Sequence, residues 1–130
     1  DHKREKAKAR DHVAALKVKL PSLATLVGRL SGGNQQKIVL AKWLEAGTRI
    51  LLLDEPTRGI DVASKAQIYT LVRDLCERGM GIILISSELP EVIENSNRIL
   101  VMYRGTIAAE LDRAEATEEK IISYAVGANA

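Results

Sequence analysis

Two short aliphatic runs separated by one helical pattern constrain this chain more than any other feature. "RILLLDEP" puts four consecutive aliphatics, Ile50 to Leu53, ahead of two carboxylates and Pro56. "GIILIS" (81–86) repeats the theme about thirty residues later. Runs this short and continuous suit strands buried on both faces, as in a parallel sheet covered by helices. Between them Ile68, Leu71, Val72 and Leu75 recur at i, i+3, i+4 and i+7, which predicts a helix over 64–78 ended by Gly79. Strand, helix, strand is the repeat of an α/β fold with right-handed crossovers.

The flanking segments extend this pattern. A helix is expected over 3–18, a second from Ser22 to about Val27 after Pro21, and a third over 33–45 ended by Gly47. On the third, Ile38, Val39, Lys42 and Trp43 are expected to share the packed face. "SELPEVIEN" suits a short helix with Pro90 in its first turn. "NRILVMYRGTIAAEL" reads as a hairpin with strands near 98–103 and 106–111 around Arg104-Gly105. Thr117 should cap a last helix through Ala125.

Composition narrows the partners. With no Phe and 3% aromatics the core must be aliphatic, which argues against base-stacking platforms for single-stranded nucleic acid. Residues 1–19 hold seven Lys/Arg against three Asp/Glu, but "DHKREKAKARD" mixes both signs as a solvated helix face does. Cys76 is the single cysteine, which excludes an internal disulfide and is expected to be a structural thiol in its helix. No apolar run is long enough for a membrane-spanning helix. The charged start lacks a signal-peptide pattern and an initiating Met. A fragment of a longer cytoplasmic polypeptide is expected.

Two stretches carry chemistry. Asp54 and Glu55 end a buried strand, where open α/β sheets place ligands. One carboxylate can hold Mg²⁺, often through water, and the other can polarise an attacking water. In "LSGGNQQK" Ser31, Gly32 and Gly33 lead into a helix, so unpaired N–H groups and the helix dipole face an anion. By itself "SGG" before a helix is more often a capping turn. Its company with "LLLDEP" favours phosphate.

Together, "LSGGNQQK" resembles the signature motif of the ATP-binding cassette (ABC) ATPases, and "ILLLDEPTRGID" their Walker B strand and D-loop. With "ISSELPEV", the wording is similar to the second cassette of tandem-cassette monosaccharide importers. The resemblance implies a fragment of a P-loop NTPase domain: a mostly parallel sheet flanked by helices, with the phosphate-loop strand absent. Residues 1–47 would be a helical-subdomain portion, and 48–130 a partial catalytic core. ATP and Mg²⁺ are the implied cofactors. Ser31, Gly32, Gly33 and Asn34 would grip the γ-phosphate of an ATP held by the other cassette, Asn34 standing where many relatives have Gln. Asp54 would serve Mg²⁺, Glu55 would be the catalytic carboxylate, and Asp61 the D-loop aspartate that couples the two sites.

Two departures stand out. Ser87 occupies the usual position of the switch histidine, so this cassette's own site is expected to be slow. No G-x-x-x-x-G-K-[ST] occurs. The absent strand would leave two open sheet edges, from which gap closure, strand exchange or self-association is expected. The implied partners are a second cassette, transmembrane permease subunits and, indirectly, an extracytoplasmic sugar-binding protein, with no nucleic acid. The implied location is the cytoplasmic face of the membrane. An ABC-type ATPase acting on nucleic acid or the ribosome, and a non-catalytic regulatory cassette, are the alternatives.

Overall fold

The computed structural model describes residues 1–128, which divide into two compact units, Asp1–Ile83 and the chain from Leu84 onward. In the first unit, α1 (His2–Ala15) starts at Asp1, whose side chain accepts from the Lys3 N–H. It ends at a turn where Lys17 takes φ of 51°. α2 (Gly32–Glu45) and α3 (Val62–Glu77) follow, with β1 (Ile50–Asp54) between them. β1 pairs with β2 (Gly81–Ile85), within which the division between units falls.

The first unit packs its three helices through aliphatic side chains. Leu40 and Ile68 are fully buried, and Leu16, Val18 and Ala41 cluster with Val13, Ile38, Leu44 and Leu71. The helical pattern of α3 holds: Ile68, Val72 and Leu75 are buried, as is Tyr69. The packed face of α2 differs from expectation. Its buried residues are Gly33, Lys37, Leu40 and Ala41, while Val39 and Trp43 are about half exposed. A lysine and a glycine lie on the packed stripe, so polarity alone selects the wrong face.

Three further expectations are corrected. The helix over 22–27 is absent: Ser22 closes a turn, its hydroxyl accepting from the Ala24 N–H, and a single 3-10 turn spans Val27–Arg29. Leu23, Leu26 and Val27 are exposed there, so too little apolar surface is buried to support a helix that short. β1 is buried on one face only, with Leu51 and Leu53 inside but Ile50 and Leu52 61% and 66% exposed. Cys76 is exposed rather than packed.

In the second unit, α4 (Leu89–Asn95) carries Pro90 in its first turn. β3 (Arg98–Tyr103) and β4 (Thr106–Asp112) form an antiparallel hairpin with a register shift between Val101 and Met102. Arg104 and Gly105 both take positive φ, the two-residue turn whose twist matches paired strands. α5 (Glu118–Ala125) is capped by Thr117, whose hydroxyl accepts from the Lys120 N–H at 3.2 Å. Ile99, Val101, Leu111 and Ile121 form this unit's core. The class is therefore α/β, but the described strands form two separate two-stranded sheets rather than one mostly parallel sheet.

A charged clamp joins α1 to the end of α2. Glu45 accepts from Lys8 Nζ and lies 2.8 Å from His12 Nε2. The hydrogen bond from Lys8, then that from His12, holds the Glu45 carboxyl below its usual range. A depressed folded pKa means the unfolded chain binds the proton more readily, so this contribution is present above the ordinary carboxylate pKa. It is lost as pH falls through the folded value. Glu45→Gln should therefore flatten the acid limb of the stability–pH curve. Urea titrations should show the two proteins differing most near neutrality and converging below about pH 4.

Candidate nucleotide site

The first turn of α2 is built as a donor array. Ser31 is its N-cap in extended conformation, yet its side chain makes no capping bond to the backbone. The first-turn N–H groups of a helix have no intrahelical partner. Instead the Ser31 hydroxyl accepts from Asn34 Nδ2 at 2.9 Å, and Asn34 Oδ1 accepts from the Lys19 N–H at 2.9 Å. The Asn34 side chain is thus engaged at both ends, holding Ser31 to the strand of chain before it. Gln35 donates to the Leu30 carbonyl at 2.8 Å and fixes the entry to the turn.

Gly33 is buried because α3 lies against it. A Cβ at this position would sit 2.7 Å from Ser64 Cβ and 2.8 Å from Ser64 Oγ. The same contact ties α2 to the first turn of α3, whose N-cap is Asp61. Asp61 caps α3 and its carboxylate accepts from the Ser64 N–H at 3.0 Å. Hydrogen bonds from the Ser64 side chain and backbone hold that carboxyl below its ordinary range. Gly33→Ala should cost about 1–3 kcal/mol, the usual penalty of overpacking a close contact. Thermal unfolding checks this, and Ser64→Gly in the same protein, which removes the Cβ nearest the new methyl, should recover part of the loss.

A cavity of about 260 Å³ opens at this junction, lined by Ser31, Gly33, Asn34, Lys19, Lys37 and Ser64 among others. Asp54 and Glu55 do not line it. They occupy the end of β1, Asp54 exposed and Glu55 half-buried. Glu55 takes φ of 46°, a left-handed backbone unusual for a residue with a side chain. That turn breaks the strand and sends the chain into Pro56, with Arg58 N–H bonded to the Glu55 carbonyl at 3.2 Å. Buried Thr57 lies 3.3 Å from the Tyr69 hydroxyl, which pins the turn to α3. Strain supported this firmly is characteristic of functional positions. Ser87 is exposed in the second unit, between β2 and α4.

Sequence reasoning gave no role to five residues of this arrangement: Lys37 and Thr57, inside the quoted motifs, and Ser64, Gln67 and Tyr69, outside them. The signal for Lys37 is its spacing, one turn after Gly33 on the same face.

The sequence and fold have close counterparts. The family model described as "ABC transporter" matches residues 2–58. The chain is 54% identical over 127 residues to the xylose import ATP-binding protein XylG of Geobacillus kaustophilus, covering 98% of this chain and 25% of that protein. It is 50% identical over 127 residues to the ribose import ATP-binding protein RbsA of Bacillus subtilis, covering 98% and 26%. The chain belongs to the ABC transporter ATPases.

This ABC ATPase chain spans about a quarter of the length of those relatives. Among solved structures, it superposes on an ATP-binding cassette of an ABC transporter with a TM-score of 0.78 at 24% identity, covering 93% of this chain and 49% of that one. The ADP conformation of that cassette gives 0.73 at 25% identity, covering 95% and 46%. About half of an ABC cassette fold is therefore represented in the α/β chain.

Proposed function

We propose that this chain is part of the ATP-binding subunit of a monosaccharide importer and contributes to ATP hydrolysis that drives sugar uptake. The observation carrying the proposal is the ordered set "LSGGNQQK", "DEPTRGID" and "ISSELPEV" in a chain about half identical to pentose importers along nearly its whole length. Residues 1–47 belong to the helical subdomain on this reading, and 48–130 to the catalytic core.

The roles divide across a cassette pair. The α2 donor array serves an ATP bound mainly by the other cassette, through the Ser31 hydroxyl and the first-turn N–H groups. Asn34 acts by holding Ser31 and through its own backbone. Asp54 and Glu55 serve the ATP of their own cassette. An exposed carboxylate at a strand end suits Mg²⁺, which retains much of its water; among the described residues no group of three potential ligands encloses a metal. When bound, Mg²⁺ neutralises charge on the transferring phosphoryl group. Glu55, held in its strained turn, orients and polarises the attacking water. Asp61 relays between the two sites. Ser87 is a shorter, uncharged donor than the histidine usual at its position, which slows this cassette's own site.

Among the described residues no helix is long and apolar enough to cross a membrane. Attachment to the cytoplasmic face would come through permease subunits. An extracytoplasmic binding protein, which the cassette does not touch, would choose the sugar. Ser87 also favours a second reading, a regulatory cassette that only completes its neighbour's site; the Glu55 geometry favours hydrolysis. Proteoliposomes holding the full-length ATP-binding protein and its permease test the proposal. ATP-dependent uptake of a monosaccharide is expected. Failure to transport any, with ATPase activity stimulated by nucleic acid in a salt-sensitive way, would replace it.

A further inference from the structure

Lys37 is 5% exposed and its ammonium meets no carboxylate among the hydrogen-bonded partners it reaches. Nζ donates to the Lys17 carbonyl at 3.1 Å and to Gln67 Oε1 at 2.9 Å. Burial, then repulsion from Lys19 and Lys17, pushes its pKa down. An ammonium held by dipoles alone is an expensive way to fasten helices, since an apolar side chain of similar length would pack there with less desolvation. The geometry it enforces is the more informative feature.

Gly33 and Lys37 lie one turn apart on α2, while Ser64 and Gln67 lie one turn apart on α3. Gly33 meets Ser64, and Lys37 meets Gln67. The two helices are therefore joined by two rungs, the first of them within the Ser31–Asn34 turn, and Asp61 caps α3 at that same end. The third anchor, the Lys17 carbonyl, belongs to the turn at positive φ whose neighbour Lys19 binds Asn34.

We infer that Lys37 is a positioning residue that locks the phosphate-gripping turn of α2 to the Asp61 end of α3, so that the two move as one body. The inference rests on the reading of Ser31–Asn34 as a phosphate grip. A sliding or rolling of α2 on α3 would change the distance between the grip and Asp61. Lys37 resists this because its two acceptors lie on different segments. A misplacement on the order of 1 Å at reacting groups can cost about a hundredfold in rate, so loss of the lock should appear in kcat.

The test uses the full-length ATP-binding protein carrying this sequence, with Lys37→Met, Gln67→Met, the double variant, Lys37→Arg and Ser31→Arg. ATP hydrolysis and thermal unfolding are measured for each. The expected result is a loss in kcat of about tenfold for either methionine variant, with KM within about twofold. The double variant should be no slower than the slower single, and Lys37→Arg should recover most of the rate. Gln67 is exposed, so its variant keeps the test decisive should Lys37→Met fail to fold. Folded variants with wild-type kcat would overturn the inference, as would losses that simply multiply. A loss confined to KM and independent of Gln67 would also overturn it, making Lys37 a direct phosphate contact. If Ser31→Arg leaves hydrolysis intact, the grip reading falls and this inference with it. If Ser31→Arg abolishes hydrolysis while the Lys37 and Gln67 variants match wild type, the lock alone is refuted.

Discussion

Replacing Ser31 with arginine in the full-length ATP-binding protein is expected to lower ATP hydrolysis at least about a hundredfold, the scale seen when one preorganised oxyanion donor is lost. Ser31 is exposed at the mouth of the donor array, and its hydroxyl is pre-aimed by Asn34 rather than spent on capping. Arginine removes that hydroxyl and fills the approach to the first-turn N–H groups. On the proposed reading the array serves the other cassette's ATP, so the substitution strikes the site that does not depend on Ser87. Glu55→Gln, on the same reading, disables only this cassette's own site, which the proposal already holds to be slow. Its loss should be much smaller, because a site slowed by Ser87 supplies only a minor share of total turnover. Steady-state phosphate release from the two variants separates the outcomes, and equal losses would refute the asymmetry.

The second large effect concerns the 130-residue chain by itself. It should bind ATP no tighter than about 1 mM, which corresponds to roughly 4 kcal/mol of binding free energy. A helix N-terminus contributes about 0.3–1 kcal/mol toward an anion, and a few charge-assisted hydrogen bonds about 1.5–3 kcal/mol each. Association itself costs at least about 4 kcal/mol, so little remains. Calorimetry with Mg-ATP should show no saturable heat at micromolar concentrations. A micromolar Kd would mean that these residues alone form a complete nucleotide site.

The elements that proved legible in the sequence are those whose pattern and caps agree. α3 shows a clean apolar stripe ended by Gly79, although it starts at Val62 behind an Asp61 cap, two residues before the expected Ser64; the β3–β4 hairpin has its turn spelled by Arg104-Gly105. Thr117 and Pro90 mark helix starts where the structure has them. The misreadings come from tertiary context. The packed face of α2 runs through Gly33 and Lys37, whose burial depends on Ser64 and Gln67 in a distant element. A continuous apolar run cannot say how many of its faces are covered, and in β1 only Leu51 and Leu53 are. The signature and Walker B residues were legible as types at fixed places. The Asn34–Ser31 bond and the Gly33–Ser64 approach were not, because they depend on side-chain placement and helix–helix distance.

The central claim is that Ser31–Asn34 grip an ATP held by the other cassette. Ser31→Cys in a full-length protein whose remaining cysteines, exposed Cys76 included, are replaced by serine tests it directly. A second cysteine is placed in the phosphate loop of either one cassette or the other. Disulfide formation requires Cα atoms within about 7 Å, so oxidation with trapped ATP reports proximity. The account predicts a crosslink from Ser31→Cys to the phosphate loop of the other cassette, formed only with nucleotide bound. A crosslink to the phosphate loop of its own cassette would contradict it.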